Sequence, residues 1–388
     1  MRVLIAFDKF KDSMTAARAC EVAACELRAL HRDWQIDIAP LSDGGDGFCE
    51  ILGRAVGAEM IPCRTTGPRG GGLETPVALL PWSLVPEAAH AILAQGLKTS
   101  LAPGDTIAVV EMAAASGLAL LAKELRDPWH ATSYGTGQLI RAAAELGAKG
   151  IVLGVGGSAT SDLGIGALAA LGLEFLSEEG VRFHTATPSE WHAITRIEGG
   201  VFPSIPPVWI ACDVDNPLLG PRGAAAIYGP QKGLAAEDVP KLDAAAAKMA
   251  ALLCLHTGRP NSLAAESGAG AAGGIAFGLR ASARAALVPG AALVSAWLRI
   301  EERIAAADIV ITGEGRFDAT SLSGKIPGSI ASRARELGKQ IHVFAGSVGL
   351  ESLPGAHLHA ISPPELPLDA ALSEGPQRLA AAVRDQFA

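Results

Sequence analysis

Short, continuous apolar segments alternate along the chain with Ala- and Leu-rich segments of helical periodicity. Val3–Phe7 is wholly apolar, which is typical of a strand that is covered on both faces of a parallel sheet. Apolar residues at three-and-four spacing from Ala19 to Leu30 then predict an amphipathic helix, with N-cap candidates at Asp12–Ser13. Ile36–Ala39 predicts the next strand. Two strand–helix units so close together favour an α/β fold with a parallel sheet.

The same alternation returns near the C-terminus, whereas the middle of the chain has a different texture. Residues 308–312 and 340–345 are strand-like, and residues 327–337 between them are helical. Residues 66–86 carry glycine and proline signals typical of hairpins and loops, and residues 150–173 are glycine-rich. We therefore expect two α/β domains: a discontinuous parallel-sheet domain, residues 1–65 and 290–388, and a second domain inserted at 66–289.

Composition narrows the class of protein and its partners. The chain has 388 residues, 49% of them hydrophobic, and a formal net charge of −8. This apolar content can fill a large core, and the acidic balance argues against nucleic acid as a partner. The longest uncharged stretches are too short for a membrane span, and the six cysteines are scattered without C-x-x-C spacing. We expect a cytoplasmic protein with no membrane partner.

Candidate chemistry lies in glycine-containing loops that follow predicted strands, because ligands gather at the carboxyl ends of strands in α/β sheets. The first such loop carries Asp8 and Lys11, which could orient an anion or accept a proton. The second carries Asp43, Gly44 and Gly45 within the sequence DGGDG, where the backbone can approach a ligand closely.

The third loop, GVGGSATSD at residues 154–162, combines small residues and hydroxyl groups before a predicted helix. Such a loop suits a phosphate group. It also contains the pattern G-x-G-x-x-A, with Glu174 twenty residues after Gly154, which is a weak form of the dinucleotide fingerprint. A nicotinamide-dependent oxidoreductase is therefore an alternative.

The fourth loop carries Gly313, Glu314 and Asp318 and continues to Lys325, which precedes a predicted helix. A lysine in this setting can neutralise a phosphate, although the chain contains no Walker A motif. Two further segments add polar groups: residues 213–216, whose carboxylates suit Mg²⁺ or a general base, and the rigid loop that carries Lys232.

Ten motifs in one order give the sequence a specific resemblance. It resembles the glycerate kinase family of the bacterial glycerate 2-kinase type, from residue 3 to about residue 345. The motifs are D-x-F-K at residues 8–11, DGGDG at 43–47, TGP at 66–68, EMAAASGL at 111–118, TSYGTG at 132–137, GVGGSATSD at 154–162, CDVDNPLLGPRGA at 212–224, GPQKG at 229–233, GAGAAGG at 268–274, and ITGEGRFD with GK at 311–318 and 324–325.

The resemblance implies transfer of a phosphoryl group from ATP, with Mg²⁺, to D-glycerate, mainly at the 2-hydroxyl to give 2-phospho-D-glycerate. It also implies two α/β domains that face across a cleft, one of them Rossmann-like and formed by both chain ends, so that closure assembles the site. A glycerate 3-kinase and a non-catalytic protein that binds sugar acids are further alternatives, and a homodimer is an open option.

Candidate roles follow from this reaction, in which positioning and charge neutralisation dominate. We expect Asp213 to act as base or Mg²⁺ ligand, Asp318 as a second metal or substrate group, and lysines to contact phosphate or carboxylate groups. The catalytic candidates are Asp213, Lys325, Lys11 and Asp318. The candidates for binding substrate or nucleotide are Asp8, Asp43, Gly44, Gly45, Gly154, Gly156, Gly157, Ser158, Thr160, Asp162, Asn216, Lys232, Gly313 and Glu314.

Overall fold

The structure is a computed structural model that describes residues 1–322 and 324–388. In this part of the chain the strands are β1 (Arg2–Phe7), β2 (Gln35–Ile38), β3 (Glu59–Thr66), β4 (Gly72–Pro81), β5 (Thr106–Glu111), β6 (Ile151–Gly154), β7 (Leu173–Leu176), β8 (Arg182–Phe183), β9 (Arg196–Gly199), β10 (Val208–Ala211), β11 (Ala285–Val288), β12 (Ile309–Gly313), β13 (Arg316–Phe317), β14 (Gln340–Ala345), β15 (Ser347–Val348) and β16 (Ala356–Ala360).

The α-helices of the same residues are α1 (Ala16–Leu30), α2 (Phe48–Ala55), α3 (Glu87–Gly96), α4 (Met112–Ser116), α5 (Tyr134–Glu145), α6 (Ile165–Ala170), α7 (Ala224–Tyr228), α8 (Val239–Thr257), α9 (Ala271–Ser282), α10 (Gly290–Trp297), α11 (Ile300–Ala306), α12 (Ile326–Glu336), α13 (Leu368–Ser373) and α14 (Gly375–Phe387). Across the part of the chain that the structure describes, we find no helix with the length and apolar character needed to cross a membrane.

The chain divides into two compact units. The terminal unit contains residues 1–43 and 291–388, and the inserted unit contains residues 44–290. The bounds differ from the expected domain bounds chiefly at residues 44–65, which pack with the inserted unit. The reason is strand pairing: β3 pairs with β4 over its whole length, from Glu59↔Leu79 to Thr66↔Gly72, so β3 is part of the second sheet.

The terminal unit is built on a five-stranded sheet in the order β16-β14-β12-β1-β2, with every pair parallel. The register Val3↔Ile309 to Phe7↔Gly313 joins the two ends of the chain in one sheet. Helices α1 and α11 both pack on β1, so all of Val3–Phe7 is buried. A run without polar residues is what a central parallel strand requires.

The inserted unit is built on a six-stranded sheet in the order β11-β10-β6-β5-β4-β3. Its first four strands are parallel, and β4 and β3 are antiparallel additions. Glu111, Gly154 and Ala211 are direct partners in register, so β5, β6 and β10 end at the same edge. The predicted fold class is confirmed, because both units are α/β and both chain ends form one parallel sheet.

The start of α1 differs from the expectation. Thr15, not Asp12 or Ser13, caps the helix, and its hydroxyl oxygen accepts a hydrogen bond from the N–H of Arg18 at 3.2 Å. Residues 10–14 instead form a tight turn in which Asp12 has φ 60° and the N–H of Phe10 donates to the carbonyl of Met14. The Ser13 hydroxyl donates to the Leu372 carbonyl. Tertiary contacts thus decide which of the nearby polar residues Asp12, Ser13 and Thr15 caps the helix.

Candidate active site

Two buried carboxylates lie side by side at the carboxyl edge of the terminal sheet. Asp8 follows β1 and Glu314 follows β12, and the N–H of Asp8 donates to the carbonyl of Gly313 at 3.0 Å. Each side chain belongs to a residue only 6% exposed. Asp43 lies in the loop after β2, and its Oδ1 is 3.7 Å from Lys9 Nζ. With Lys325, these residues form what we call the acid–lysine cluster: Asp8, Lys9, Asp43, Glu314 and Lys325.

The Asp8 carboxyl is tuned to titrate near neutrality. Burial, followed by the negative charge of Asp43, raises the pKa of Asp8 to about 7. The N–H of Lys9, which donates to Asp8 Oδ1 at 2.7 Å, and the Lys9 amine act in the opposite direction. A carboxyl with a pKa close to the working pH can both take and return a proton, which suits general base chemistry.

Glu314 and Lys325 form an ion pair inside the cluster. Lys325 Nζ donates to Glu314 Oε2 at 2.7 Å, and the amine is far more exposed than the carboxylate. Within the residues that the structure describes, the other Glu314 oxygen, Oε1, is buried without a hydrogen-bond partner. Because an unpartnered buried oxygen is unfavourable, the pair is a place where a hydroxyl donor would be stabilising.

Three other candidates of the terminal unit have different settings. Lys11 is exposed in the turn after β1. Asp318 Oδ1 accepts from the N–H and the hydroxyl of Thr320, and its Oδ2 accepts from Arg316 at 3.0 Å. The Asp318 carboxylate therefore holds its own loop. Gly313 has φ 151°, and a Cβ there would lie 1.7 Å from the Phe344 carbonyl oxygen, so this position needs glycine for close strand packing.

In the inserted unit, two glycine-rich loops press together at the carboxyl edge of the sheet. The N–H of Gly156 donates to the carbonyl of Gly44 at 2.9 Å. A Cβ on Gly154 would meet that carbonyl oxygen at 2.7 Å, and one on Gly156 would lie 2.7 Å from Gly45. A Cβ on Gly157, with φ 71°, would lie 3.1 Å from Asp46 Oδ1. The absence of side chains here is a packing requirement, and it brings the DGGDG and GVGG segments to one place.

Glu111 anchors one of these loops and was not singled out from the sequence. Its Oε1 accepts from the N–H of Gly47 at 3.1 Å, and its Oε2 accepts from the N–H of Cys49 at 3.2 Å. These groups lie at the start of α2, where N–H groups have no partner within the helix. Glu111 is the last residue of β5, so the strand-end reasoning used for the other loops was sufficient to find it.

Beside the glycine loops, Lys232 is buried against the segment from Ser158 to Asp162. The Lys232 residue is 2% exposed, and its Nζ donates to Ser158 Oγ at 2.9 Å and to the Thr160 carbonyl at 2.5 Å. Burial lowers the pKa of Lys232 to about 7, against the raising effect of Asp162. Among residues 1–322 and 324–388, the buried hydroxyl oxygens of Thr160 and Ser161 have no hydrogen-bond partner.

Asp162 has a mainly architectural setting. Its carboxylate accepts from the N–H and the hydroxyl of Ser133, at 2.7 and 2.8 Å, and from the N–H groups of Gly164 and Gly166, both at 3.2 Å. Burial raises the pKa of Asp162, and these donors lower it. The carboxylate thereby fixes the starts of α5 and α6 together. Ser133 is a second residue that the sequence reasoning did not single out.

The segment after β10 presents Asp213 at the surface and uses Asn216 as a brace. Asp213 is exposed, close to Gly290, where a Cβ would lie 3.0 Å from Asp213 Oδ2. The Asn216 amide donates to the Arg222 carbonyl at 2.8 Å and accepts from the Tyr228 hydroxyl at 2.6 Å. Over residues 1–322 and 324–388, no cluster of three or more His, Cys, Asp or Glu side chains is arranged to hold a metal ion.

The dinucleotide alternative is not supported by the position of Glu174. The chain passes from the glycine loop through α6 to β7, which belongs to a separate three-stranded antiparallel sheet in the order β8-β7-β9. Glu174 lies on that strand and pairs with Arg182 at 2.8 Å. The acidic residue of the fingerprint should instead end the second strand of a parallel β-α-β unit.

The structure thus brings the candidates into two groups. Asp8, Asp43, Glu314 and Lys325 meet in the terminal unit, and residues 44–45, 154–160 and 232 meet in the inserted unit. Lys9 joins the first group, and Glu111 and Ser133 support the second. That the loops share one crevice stays a prediction.

Similar proteins cover almost the whole chain. The family model described as the glycerate kinase family matches residues 3–387. A glycerate kinase of Halalkalibacterium halodurans is 36% identical over 393 residues, which is 99% of this chain and 96% of that protein. A glycerate 2-kinase of Escherichia coli is 35% identical over 366 residues, which is 93% of this chain and 89% of that protein.

A solved structure agrees with these relatives. The crystal structure of a protein assigned as glycerate kinase 2 from Salmonella typhimurium matches with a TM-score of 0.73 and 31% identity, and the match covers 100% of this chain and 97% of that one. The family match and the 35% and 36% identities over nearly the full length show that this chain belongs to the glycerate kinase family.

Proposed function

We propose that this protein is an ATP- and Mg²⁺-dependent kinase that phosphorylates D-glycerate at the 2-hydroxyl and releases 2-phospho-D-glycerate. The relative from Escherichia coli that is named glycerate 2-kinase supports this choice of product. The observation that carries the proposal is the acid–lysine cluster, because its alternating charges match a small hydroxy acid. Carboxylates accept hydrogen bonds from hydroxyl groups, and ammonium groups pair with a carboxylate.

In the proposed acceptor site, Asp8 is the general base. Its pKa of about 7 suits removal of the proton from the attacking hydroxyl at neutral pH. Lys9 and Lys325 supply positive charge for the glycerate carboxylate, and each already pairs with a carboxylate of the cluster. Glu314 Oε1, which has no partner among the described residues, is the acceptor that a second hydroxyl group would satisfy.

The glycine-rich segment 154–160 is the proposed site for the ATP phosphates. The close packing of Gly154 and Gly156 on the 44–45 segment holds the loop in a fixed shape. The Thr160 and Ser161 hydroxyl oxygens, buried and without partners in the described part of the chain, support the proposal, because a hydroxyl group can donate to a phosphate oxygen. Preorganised donors of this kind stabilise the charge that develops during phosphoryl transfer.

Asp213 is the proposed protein ligand of Mg²⁺. Magnesium that accompanies nucleotide phosphates needs only one or two carboxylates from the protein, which fits an exposed aspartate at a strand end. Asp318 fits less well, because both of its oxygens already accept hydrogen bonds from Thr320 and Arg316. When bound, the ion would offset negative charge on the phosphates.

The test is a product assay. Purified protein is incubated with MgATP and D-glycerate in one reaction and with MgATP and L-glycerate in another. The products of both reactions are followed by phosphorus NMR. The proposal predicts ADP and a signal of 2-phosphoglycerate that depend on D-glycerate and disappear when Mg²⁺ is removed by EDTA. A 3-phosphoglycerate signal would make the enzyme a glycerate 3-kinase. Absence of glycerate-dependent ADP would contradict the proposal.

A further inference from the structure

Lys232 is buried, and the free energy lost by removing its amine from water indicates that the residue has a specific role. Lysine is rarely buried unless it is paired, because an ammonium loses its hydration. The turn Pro230–Lys232 directs the side chain under the glycine-rich segment, where Nζ donates to Ser158 Oγ at 2.9 Å and to the Thr160 carbonyl at 2.5 Å. Because the residue is only 2% exposed, the amine reaches the Ser158 hydroxyl and the Thr160 carbonyl from the protein interior.

This contact fixes the direction of the Ser158 hydroxyl. An ammonium group can only donate, so Ser158 Oγ acts as the acceptor and its own proton must point elsewhere. Across residues 1–322 and 324–388, no protein atom accepts a hydrogen bond from that hydroxyl. The serine therefore presents a donor that is polarised by a neighbouring cation, and such donors are strongest toward anions.

We infer that Lys232 is a positioning residue for the donor phosphates: it holds Ser158 as a hydrogen-bond donor to a phosphate oxygen and fixes the Thr160 carbonyl behind the loop. The inference rests on the proposed function, since it takes segment 154–160 as the phosphate site. It revises the expectation that Lys232 contacts a phosphate itself, because the buried amine acts through Ser158.

Titration of the amine reverses the hydrogen bond. Burial lowers the pKa of Lys232 to about 7, and Asp162 is the charged side chain that opposes this effect. A neutral amine can accept a hydrogen bond from the Ser158 hydroxyl, which then no longer donates outward. Nucleotide affinity should therefore fall as the pH rises through 7.

The test compares nucleotide affinity in Lys232→Met, Ser158→Ala and the double variant. Binding of MgADP is measured by calorimetry, and the KM for ATP is measured alongside. We expect each single variant to weaken binding about 10-fold and the double variant to be no more than about 2-fold weaker than Lys232→Met. Lys232→Arg should recover most of the affinity. Lys241→Met, which removes an exposed amine of the same unit, should leave it unchanged.

A pH series separates positioning from a purely structural role. The ratio of the Ser158→Ala and wild-type dissociation constants cancels titration of the nucleotide itself. We expect this ratio to shrink from about 10 at pH 6 toward 1 at pH 8.5. This series removes only the Ser158 hydroxyl and leaves Lys232 in place, so it decides the matter even if Lys232→Met fails to fold.

Three results would overturn the inference: losses that multiply to about 100-fold in the double variant, a ratio that does not change with pH, or no binding of MgADP by the wild type. Failure of the proposed function is a separate outcome. It would appear as MgADP binding by a wild-type protein that produces no phosphoglycerate.

Discussion

Lys325 Nζ donates a 2.7 Å hydrogen bond to Glu314 Oε2, and these residues lie at the start of α12 and at the end of β12. The pair joins a buried carboxylate to a half-exposed amine at the carboxyl edge of the terminal sheet. This edge is where an open parallel sheet binds its ligands. A small anionic substrate bound at this edge would therefore lie close to both the Lys325 amine and the Glu314 carboxylate.

Replacing Lys325 by methionine should affect turnover far more than stability. We expect the rate of glycerate phosphorylation to fall at least 100-fold, because the substrate carboxylate would face Glu314 without a counter-charge. The free energy of unfolding should fall by about 1–3 kcal/mol, since the buried Glu314 carboxylate would lose a hydrogen-bond partner. Urea unfolding and a coupled ADP assay measure the two quantities.

The matched control for this variant is Lys339→Met. Lys339 donates to the Ala305 carbonyl and lies just before β14, away from the strand ends that carry the cluster. Its activity should equal that of the wild type. If Lys325→Met keeps more than about a tenth of wild-type turnover, the amine has no role in the reaction.

Asp8→Asn should stabilise the protein while abolishing activity. Because burial raises the pKa of Asp8 from 3.8 to about 7, the folded state holds a proton that the unfolded chain releases over this range. Stability therefore falls as the pH rises from about 4 to 7. The linked free energy is about 4 kcal/mol, at about 1.4 kcal/mol for each pH unit. The asparagine variant lacks this dependence.

Unfolding by urea at several pH values measures this difference directly. The stability of Asp8→Asn relative to the wild type should grow between pH 4 and pH 7 and then level off. Asp33→Asn, which changes an exposed carboxylate of the same unit, should run parallel to the wild type. Parallel curves for Asp8→Asn as well would show that the carboxyl is ionised throughout.

Gly273→Ala should damage the inserted unit much more than Gly258→Ala. Both glycines have positive φ, 74° and 67°, so alanine is strained by about 1 kcal/mol in each. A Cβ on Gly273 would also lie 2.0 Å from the Thr160 carbonyl oxygen, whereas nothing lies within 4 Å of a Cβ on Gly258. We expect Gly273→Ala to lose at least about 3 kcal/mol, as a severe clash does.

The same two variants should also differ in their KM for ATP. Gly273→Ala displaces the Thr160 carbonyl that Lys232 contacts, so its KM for ATP should rise, while that of Gly258→Ala should not. Equal losses of stability in the two variants would mean that the contact between Gly273 and Thr160 is loose.

Much of the fold could be predicted because a buried parallel strand appears in the sequence as a short run of apolar residues. Val3–Phe7 is a continuous apolar run and residues 341–345 are apolar apart from one histidine, and both segments are buried strands of the terminal sheet. The carboxylates and glycines that follow such runs were found by the same reasoning, since a polar residue after a buried strand lies at the sheet edge. Asp8, Asp43 and Glu314 were predicted in this way.

What escaped prediction depends on contacts between segments far apart in the chain. The sequence around Lys232 predicts a rigid loop, and only its packing under Ser158 and Thr160 shows that the amine is buried. Asp318 reads as a ligand, yet its oxygens are used by Thr320 and Arg316 within its own loop. Residue type alone does not say whether a polar group serves a ligand or its own backbone.

The most direct test of two separate substrate sites is to measure the KM for D-glycerate and the KM for ATP in two variants, Lys9→Met and Ser158→Ala. Lys9 belongs to the proposed acceptor site, and Ser158 belongs to the proposed phosphate site. We expect Lys9→Met to raise the KM for D-glycerate about 10-fold and to leave the KM for ATP within 2-fold. We expect Ser158→Ala to raise the KM for ATP about 10-fold and to leave the KM for D-glycerate within 2-fold. Both variants changing the same constant, or neither changing any, would contradict the proposal of two separate sites.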